Sequence, residues 1–159
     1  MPRLIFLDNT VLSNFGLVER ADLLFRLWPG QVCSTKAALD EYQAGISAMD
    51  TRSEVWKDLP IVRLSKKEQL WMADLSPFLG AGEAACLAAA LHRNGAFASD
   101  DRKARKIASH LNVPIFGTVG ILLGSTRVNF LSVAEAQLLL EIMIAAGYRS
   151  PIQNLIEIE

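Results

Sequence analysis

The sequence predicts an α/β protein: a three-layer α/β/α sandwich in which a central parallel sheet lies between two layers of helices. Two observations support this prediction. Short apolar runs alternate with longer stretches of helical periodicity, and no repeat, low-complexity tract or linker interrupts the alternation. Alternating strands and helices form parallel sheets with helices on both faces. The 159 residues fit one domain with a sizeable core, so we expect residues 1–159 to form a single domain.

The first half of the chain begins with an apolar run at residues 4–7, which predicts a buried strand ended by Asp8. Periodicity and capping residues predict the elements that follow. These are a helical region from Asn9 to Trp28 with a break near residues 16–21, a strand at 31–33, a helix at 35–49 capped by Ser34, a helix at 51–59, an extended segment at 61–64 and a helix at 65–74.

The second half repeats the alternation more clearly. Gly80 to Gly82 form a flexible entry to a helix, and Asn94 and Gly95 end it because both residues tolerate a left-handed backbone. The predicted elements are a helix at 83–93, a strand at 96–99, an amphipathic helix at 101–111, a strand at 113–116, helices at 118–125 and 133–146, and a helical turn after Pro151.

Composition narrows the class of protein. Hydrophobic residues make up 51% of the chain and charged residues 21%, which excludes a disordered chain. The net charge of −1 means that a nucleic-acid partner would need a local basic patch. Cys33 and Cys86 lack the spacing of a zinc site or a disulfide framework, as in a reducing compartment. Without a secretory signal or the ~18-residue apolar stretch of a membrane helix, we expect a cytoplasmic protein with no membrane partner.

Carboxylates follow two of the predicted strands directly. Asp8 ends the strand at 4–7, and Asp100 and Asp101 follow the strand at 96–99. The carboxyl ends of parallel strands share one edge of the sheet, where ligand sites form. Two carboxylates about 4 Å apart repel by roughly 4 kcal/mol at an effective dielectric constant near 20, so a proton or a cation must compensate. We expect a divalent metal there. The alternatives are that Asp8 only forms a turn and that Asp100 and Asp101 only cap the helix that follows them.

Two glutamates are the further candidates for this site. Glu41 shares a helix face with the small apolar residues Ala37 and Ala38, which favours the rim of a site over a solvated surface. Glu83 lies on a core-directed face in the first turn of its helix. The alternatives are a partly exposed Glu41 beside a closely packed helix and a Glu83 that only stabilises its own helix dipole.

Two known motifs resemble parts of the chain incompletely. Gly80–Ala85 matches the dinucleotide fingerprint G-x-G-x-x-A, but a helical pattern precedes it where a strand is required, so a nucleotide cofactor is disfavoured. Asp8-Asn9-Thr10 resembles the motif of haloacid dehalogenase phosphatases, with Thr10 in place of their second aspartate. A metal-dependent phosphatase therefore stays as an alternative function. A non-catalytic RNA-binding or regulatory protein, in which the acids only cap helices and position neighbouring groups, is the other alternative.

The acids taken together resemble those of the PIN-domain nucleases, over about residues 4–150. The shared features are an early strand ending in Asp8, Glu41 on a later helix, Glu83 opening another helix, and Asp100 and Asp101 after the next strand. The strings at 79–84, 100–105 and 117–120 are similar to a less characterised PIN subgroup. The resemblance implies a Rossmann-like sandwich, Mg²⁺ or Mn²⁺ held by these acids, with Asp101 preferred over Asp100, and single-stranded RNA as substrate.

The resemblance also implies roles and partners. Asp8, Glu41, Glu83 and Asp101 would be the catalytic acids of metal-assisted phosphodiester hydrolysis. Asn9, Thr10 and Thr118 would lie near the substrate, and Arg102 and Arg105 would steer the RNA backbone, unless they form only a solvated helix face. The VapC-like toxin branch implies a small antitoxin and a homodimer. This chain departs from that branch in having glutamate at position 83 and two adjacent aspartates at the fourth acidic position.

Overall fold

The computed structural model describes residues 3–47 and 49–157. Residues 1–2 and 158–159 of the predicted domain, and Ala48 of the predicted helix at 35–49, lie outside the described residues. The strands are β1 (Ile5–Leu7), β2 (Val32–Thr35), β3 (Ile61–Val62), β4 (Ala96–Ala98) and β5 (Ile115–Phe116). The α-helices are α1 (Asn9–Leu17), α2 (Ala21–Leu27), α3 (Lys36–Ala44), α4 (Lys66–Leu75), α5 (Ala81–His92), α6 (Arg102–His110), α7 (Thr118–Arg127) and α8 (Val133–Ala145). Thr51–Glu54 and Leu155–Glu157 form 3₁₀ turns.

The five strands form one sheet in the order β3-β2-β1-β4-β5, and every pairing is parallel. In register, Phe6 of β1 pairs with Cys33 of β2 on one side and with Phe97 of β4 on the other. The prediction of a three-layer α/β/α sandwich is confirmed. Because β1 and β4 are neighbours, the residues that follow them lie side by side, and the Asp8 N–H donates to the Ala98 carbonyl at 3.0 Å.

The core is centred on β1, β4 and helix α5. All residues of both strands are buried, as expected for parallel strands covered on both faces. Helix α5 packs against β1, β2 and β4 and against the helices α3 and α4. Its small side chains permit this close approach on several sides at once. The buried residues of α5 are Gly82, Ala84, Ala85, Cys86, Leu87, Ala88, Ala89 and Ala90.

A buried carboxylate joins α4 to the end of α5. Glu68 is fully buried, and its Oε2 accepts a hydrogen bond from Arg93 Nε at 2.7 Å and lies 2.9 Å from His92 Nδ1. Its Oε1 accepts from the Ser65 N–H at 2.8 Å, and the Ser65 hydroxyl caps α4 in return, as predicted. The Arg93 guanidinium above all holds the pKa of Glu68 at about 2, well below its ordinary value.

The middle of the chain differs from its prediction. The predicted helix at 51–59 is wrong, because only Thr51–Glu54 forms a 3₁₀ turn and irregular turns follow it. Trp56 explains the difference, since it turns inward and donates from Nε1 to the Leu12 carbonyl at 3.0 Å. Its ring also packs against Phe25, with centroids 6.2 Å apart. These distant contacts determine the local backbone, which no local pattern could indicate.

Three element boundaries also need correction. Ser34 does not cap a helix, because it belongs to β2 and its hydroxyl donates to the Leu7 carbonyl at 2.5 Å, while Thr35 caps α3. Helix α3 ends at Ala44, well before the predicted residue 49, and Gly45 follows it. Helix α5 begins at Ala81, two residues before the predicted start. Within residues 3–47 and 49–157, no helix has the length and apolar character needed to cross a bilayer.

Candidate functional site

Asp8 lies directly after β1 and is fully buried. Its Oδ1 accepts hydrogen bonds from the Thr10 hydroxyl at 2.6 Å and from the Val11 N–H at 3.2 Å, so it also caps α1. Its Oδ2 is buried and has no hydrogen-bond partner among the described residues. Burial raises the pKa of Asp8 to about 7, and the nearby charge of Glu83 adds to this rise, whereas the side chains of Ser99 and Thr10 and the Val11 N–H oppose it. At neutral pH this carboxylate therefore needs a proton or a cation.

One hydroxyl group connects the ends of β1 and β4. Thr10 Oγ1 donates to Asp8 Oδ1 and accepts from the Asp100 N–H at 2.8 Å. The predicted proximity of these two strand ends is thus visible in the structure. The contact of Thr10 with a substrate stays a prediction.

Asp100 is the centre of a polar network in which both of its oxygens accept hydrogen bonds. Oδ1 accepts from the Thr118 N–H at 2.8 Å and from the Tyr148 hydroxyl at 3.3 Å. Oδ2 accepts from Asn14 Nδ2 at 3.2 Å and from the Thr118 hydroxyl. The network ties β4 to α1, α7 and the segment after α8. Asp100 therefore holds these elements together at the sheet edge.

The sequence prediction missed Asn14 and Tyr148. Asn14 follows Thr10 by four positions, so both side chains lie on one face of α1, and this pair of polar residues was a usable signal. Asn14 Nδ2 also lies within hydrogen-bonding distance of Thr118 Oγ1, at 3.1 Å. Tyr148 lies 48 positions from Asp100, and no local pattern indicated this contact.

Asp101 differs from its neighbour in having an oxygen to spare. Its Oδ1 caps α6 by accepting the Ala104 N–H at 2.8 Å, so the capping alternative correctly describes this oxygen. In the described part of the chain, this is the hydrogen bond that the Asp101 carboxylate accepts, and Oδ2 accepts none. The Asp101 N–H donates to the Ser99 hydroxyl at 3.1 Å, which fixes the turn after β4. Asp101 thus has a carboxylate oxygen available, whereas Asp100 has both engaged.

Glu83 and Glu41 meet where α5 begins. Glu83 is half-buried, and its pKa is raised by burial first and then by the charges of Asp101 and Glu41. Glu41 is exposed on α3, and its Oε1 accepts the N–H of Gly82. A Cβ atom at position 82 would lie 2.5 Å from that oxygen and 3.0 Å from the Ala38 Cα. Glycine at this position therefore lets Glu41 reach the start of α5.

The donor chemistry of these acids fits a hard cation. The buried, unpartnered Oδ2 of Asp8 and the spare oxygen of Asp101 are the oxygen ligands that Mg²⁺ prefers, and Glu83 lies in the electric field of both. Among residues 3–47 and 49–157, no group of three or more Asp, Glu, His or Cys side chains comes together in a way that could hold a metal ion. Mg²⁺ keeps several waters and often uses only one or two carboxylates. The convergence of all four predicted acids on one metal stays a prediction.

Three adjoining cavities are lined by Glu41, Asp100 or Asp101, and Tyr148 lines all three. The first, of about 350 Å³, contains Glu41 and Asn9. The second, of about 420 Å³, contains Asn9 and Asp101. The third, of about 610 Å³, contains Arg102 and other arginines.

Besides Thr10, two of the predicted substrate-binding residues, Arg105 and Thr118, have contacts at the end of β4. Arg105 Nη1 donates to the Ser99 carbonyl at 2.9 Å, whereas Arg102 is exposed. Thr118 faces Asp100 through its N–H and its hydroxyl. Contact of these side chains with RNA stays a prediction.

Comparison with known proteins gives one match. A family model described as a PIN domain matches residues 4–158, a range that includes every acid described above. No curated protein and no solved structure matches the chain.

Proposed function

The chain belongs to the PIN-domain family, a nuclease superfamily, and on this basis we propose that it is a Mg²⁺- or Mn²⁺-dependent ribonuclease that hydrolyses phosphodiester bonds of single-stranded RNA. The observation that best supports the proposal is the buried Asp8 carboxylate at the carboxyl end of the sheet. One of its oxygens is unpartnered and its pKa is raised to about 7, so it favours a bound cation.

The roles of the acids follow from their free oxygens. Asp8 and Asp101 would contact the metal directly, and Glu83 and Glu41 would complete the site or hold metal-bound water. A bound divalent ion would orient and activate water and neutralise charge on the phosphate oxygens. Asp100, whose two oxygens are engaged by Asn14, Thr118 and Tyr148, would position the turn that carries Asp101.

A cleavage assay with two substrates tests the proposal. Labelled single-stranded RNA and a phosphomonoester are offered side by side with Mg²⁺, Mn²⁺ or EDTA. We expect RNA chain cleavage that EDTA abolishes, and a loss of about a hundredfold or more in Asp8→Asn. Asp40→Asn is the matched control, because Asp40 lies exposed on α3 in a salt bridge with Lys36. Phosphate release without chain cleavage would favour a phosphatase and overturn the ribonuclease.

Calorimetric titration with Mn²⁺ separates the enzyme from a metal-free RNA-binding protein. The wild-type protein should bind Mn²⁺, and Asp8→Asn should lose this binding. If neither protein binds Mn²⁺ while both bind RNA, the acids only cap helices and the regulatory alternative is correct.

The toxin role, with a small antitoxin and a homodimer as partners, is the finer part of the same proposal. It is supported by the sequence resemblance alone. Expression of the wild-type chain should arrest cell growth, and expression of Asp8→Asn should not. Sedimentation of the purified protein tests the dimer, and growth unaffected by active wild-type enzyme would remove the toxin role.

A further inference from the structure

The largest of the three cavities has a wall that the metal chemistry does not explain. It measures about 610 Å³ and lies between α6, α7 and the segment after α8, next to Asp100. Its lining includes three arginines and several apolar side chains, and we name it the arginine cavity. These residues include Arg102, Arg105, Arg149, Phe116, Leu123 and Pro151.

Among the described residues, the charged ones that line the cavity are three arginines and one carboxylate, that of Asp100, so the lining is positively charged. In the part of the chain that the structure describes, none of the three arginines forms a salt bridge with a carboxylate. Asp100 accepts its hydrogen bonds from the neutral groups of Thr118, Asn14 and Tyr148, so its carboxylate offsets one of the three arginines at most. Arg102 and Arg149 are exposed, whereas Arg105 is half-buried and bound to the Ser99 carbonyl. Three guanidinium groups around one cavity favour an anion, and their planar forks suit phosphate.

The lining of the same cavity also includes apolar side chains. Phe116 is half-buried and packs against Trp28 with ring centroids 5.1 Å apart, so its position is fixed. Leu123 is buried and Pro151 is exposed at the rim. A phosphate alone would need no such wall, whereas a nucleobase gains from contact with aromatic and apolar side chains. The volume also falls in the range of small-ligand pockets, roughly 300–1,000 Å³.

We infer that the arginine cavity binds one nucleotide of the RNA strand, with its phosphate at the arginines and its base against Phe116, Leu123 and Pro151. The path of the RNA strand from this cavity to the acids rests on the proposed ribonuclease function. The arginine cavity shares Asp100, Tyr148 and Arg149 with the neighbouring 420 Å³ cavity, which contains Thr10 and Asp101. A nucleotide held in the arginine cavity would thus place the adjoining phosphodiester beside the acids.

The variants Arg102→Gln and Arg149→Gln test the phosphate contact. Arg127→Gln is the matched control. Arg127 is exposed at the far end of α7, and its substitution removes the same charge as each cavity variant. Binding of a short fluorescein-labelled oligoadenylate is measured by anisotropy in EDTA over a range of salt concentrations. Each cavity variant should raise Kd about tenfold and lower the salt slope by about 0.7. In cleavage assays KM should rise while kcat changes little, and melting temperatures verify folding.

A pair of small probes tests the base contact. Adenosine 5′-monophosphate and ribose 5-phosphate carry the same phosphate, so calorimetry with both isolates the base. We expect the nucleotide to bind at least about tenfold more tightly, as expected for one stacked base. Equal affinities would overturn the nucleotide assignment.

The outcomes distinguish this inference from the proposed function. If the cavity variants match Arg127→Gln in Kd and salt slope while the wild-type protein cleaves RNA, the cavity assignment fails and the ribonuclease stands. If the wild-type protein cleaves no RNA but binds adenosine 5′-monophosphate through Arg102 and Arg149, the ribonuclease fails and the cavity assignment stands.

Discussion

At the scale of single residues, Asp8 combines burial with an ionisable carboxyl group. Its Oδ1 is satisfied by Thr10 and Val11, but Oδ2 has no described partner. A neutral carboxyl group tolerates this environment, whereas an ionised one without a cation is costly. The stability of the metal-free protein should therefore depend on the ionisation of this residue.

We expect the metal-free protein to become less stable as the pH rises from about 4 to about 7. The folded pKa of Asp8 is about 7 and its ordinary value is 3.8, so between these values the folded state holds a proton that the unfolded state has lost. The difference corresponds to about 4 kcal/mol. Asp8→Asn should lose this pH dependence and exceed the wild type in stability at pH above 7. Urea unfolding in EDTA measures the free energy of unfolding at each pH, with Asp40→Asn as control. Parallel pH profiles for Asp8→Asn and wild type would contradict the prediction.

Gly82 offers a second prediction at the residue scale. Gly82→Ala should displace the Glu41 carboxylate and press on Ala38, with a loss of about 1–3 kcal/mol in the free energy of unfolding. Cleavage of RNA should fall about tenfold to a hundredfold, because Glu41 leaves its position.

The control for Gly82→Ala is Gly124→Ala in the middle of α7, where a Cβ atom would meet nothing within 4 Å. It should stabilise the protein by about 0.5–1 kcal/mol and leave cleavage unchanged. Urea unfolding and the RNA assay measure both variants. Equal effects of the two substitutions would show that the space at position 82 is not needed.

At the scale of elements, Glu68 holds α4 against the end of α5. Glu68→Gln should lower the free energy of unfolding by about 2 kcal/mol at neutral pH, because Arg93 loses a charged partner. The folded pKa of Glu68 is about 2 and its ordinary value is 4.5, so the wild type gains this stability above 4.5 and loses it as the pH falls towards 2.

The free energies of unfolding of Glu68→Gln and the wild type should thus become more similar at acid pH. Urea unfolding at pH 7 and pH 3 measures the difference. Asp74→Asn, an exposed position on the same helix, controls for the loss of one acid. A difference between Glu68→Gln and wild type that is independent of pH would refute the role of the ion pair.

Elements with local signals were predicted well, and elements fixed by distant contacts were not. The serine cap of α4 and the glycine entry to α5 are encoded within a few residues, so both helices were found in the sequence. The turns around Trp56 depend on Leu12 and Phe25, which lie far away in the chain, and the predicted helix there was wrong. The predicted end of β2, at Cys33, was two residues too early because Ser34 resembles a cap, although it belongs to the strand and bonds to β1.

At the scale of the whole molecule, the sheet order explains why the site could be predicted only in part. The prediction that Asp8 and Asp101 share an edge needed only parallel strands, and the structure confirms those strands. The order β3-β2-β1-β4-β5 makes β1 and β4 neighbours, and no local pattern in the sequence indicates this order. Asn14 and Tyr148 reach Asp100 only through this long-range arrangement.

Metal binding at this edge should stabilise the entire fold. An ion that binds only the folded protein adds about 2.7 kcal/mol when present at a hundredfold excess over its Kd. For a chain of 159 residues this corresponds to a rise of about 5–10 °C in Tm. Scanning calorimetry should show this rise with Mn²⁺ for the wild type and none for Asp8→Asn. A similar rise in both proteins would place the ion elsewhere.

The enclosure of α5 has a consequence for how the protein moves. Its buried residues contact the sheet and the helices α3, α4 and α6, so we expect the amide hydrogens of residues 84–90 to exchange slowly with deuterium. Glu83 lies in the first turn of the same helix. Glu83, the proposed catalytic acid, would then lie on an enclosed helix, while adaptation to different RNA strands would depend on the largely exposed segment around Tyr148 and Arg149.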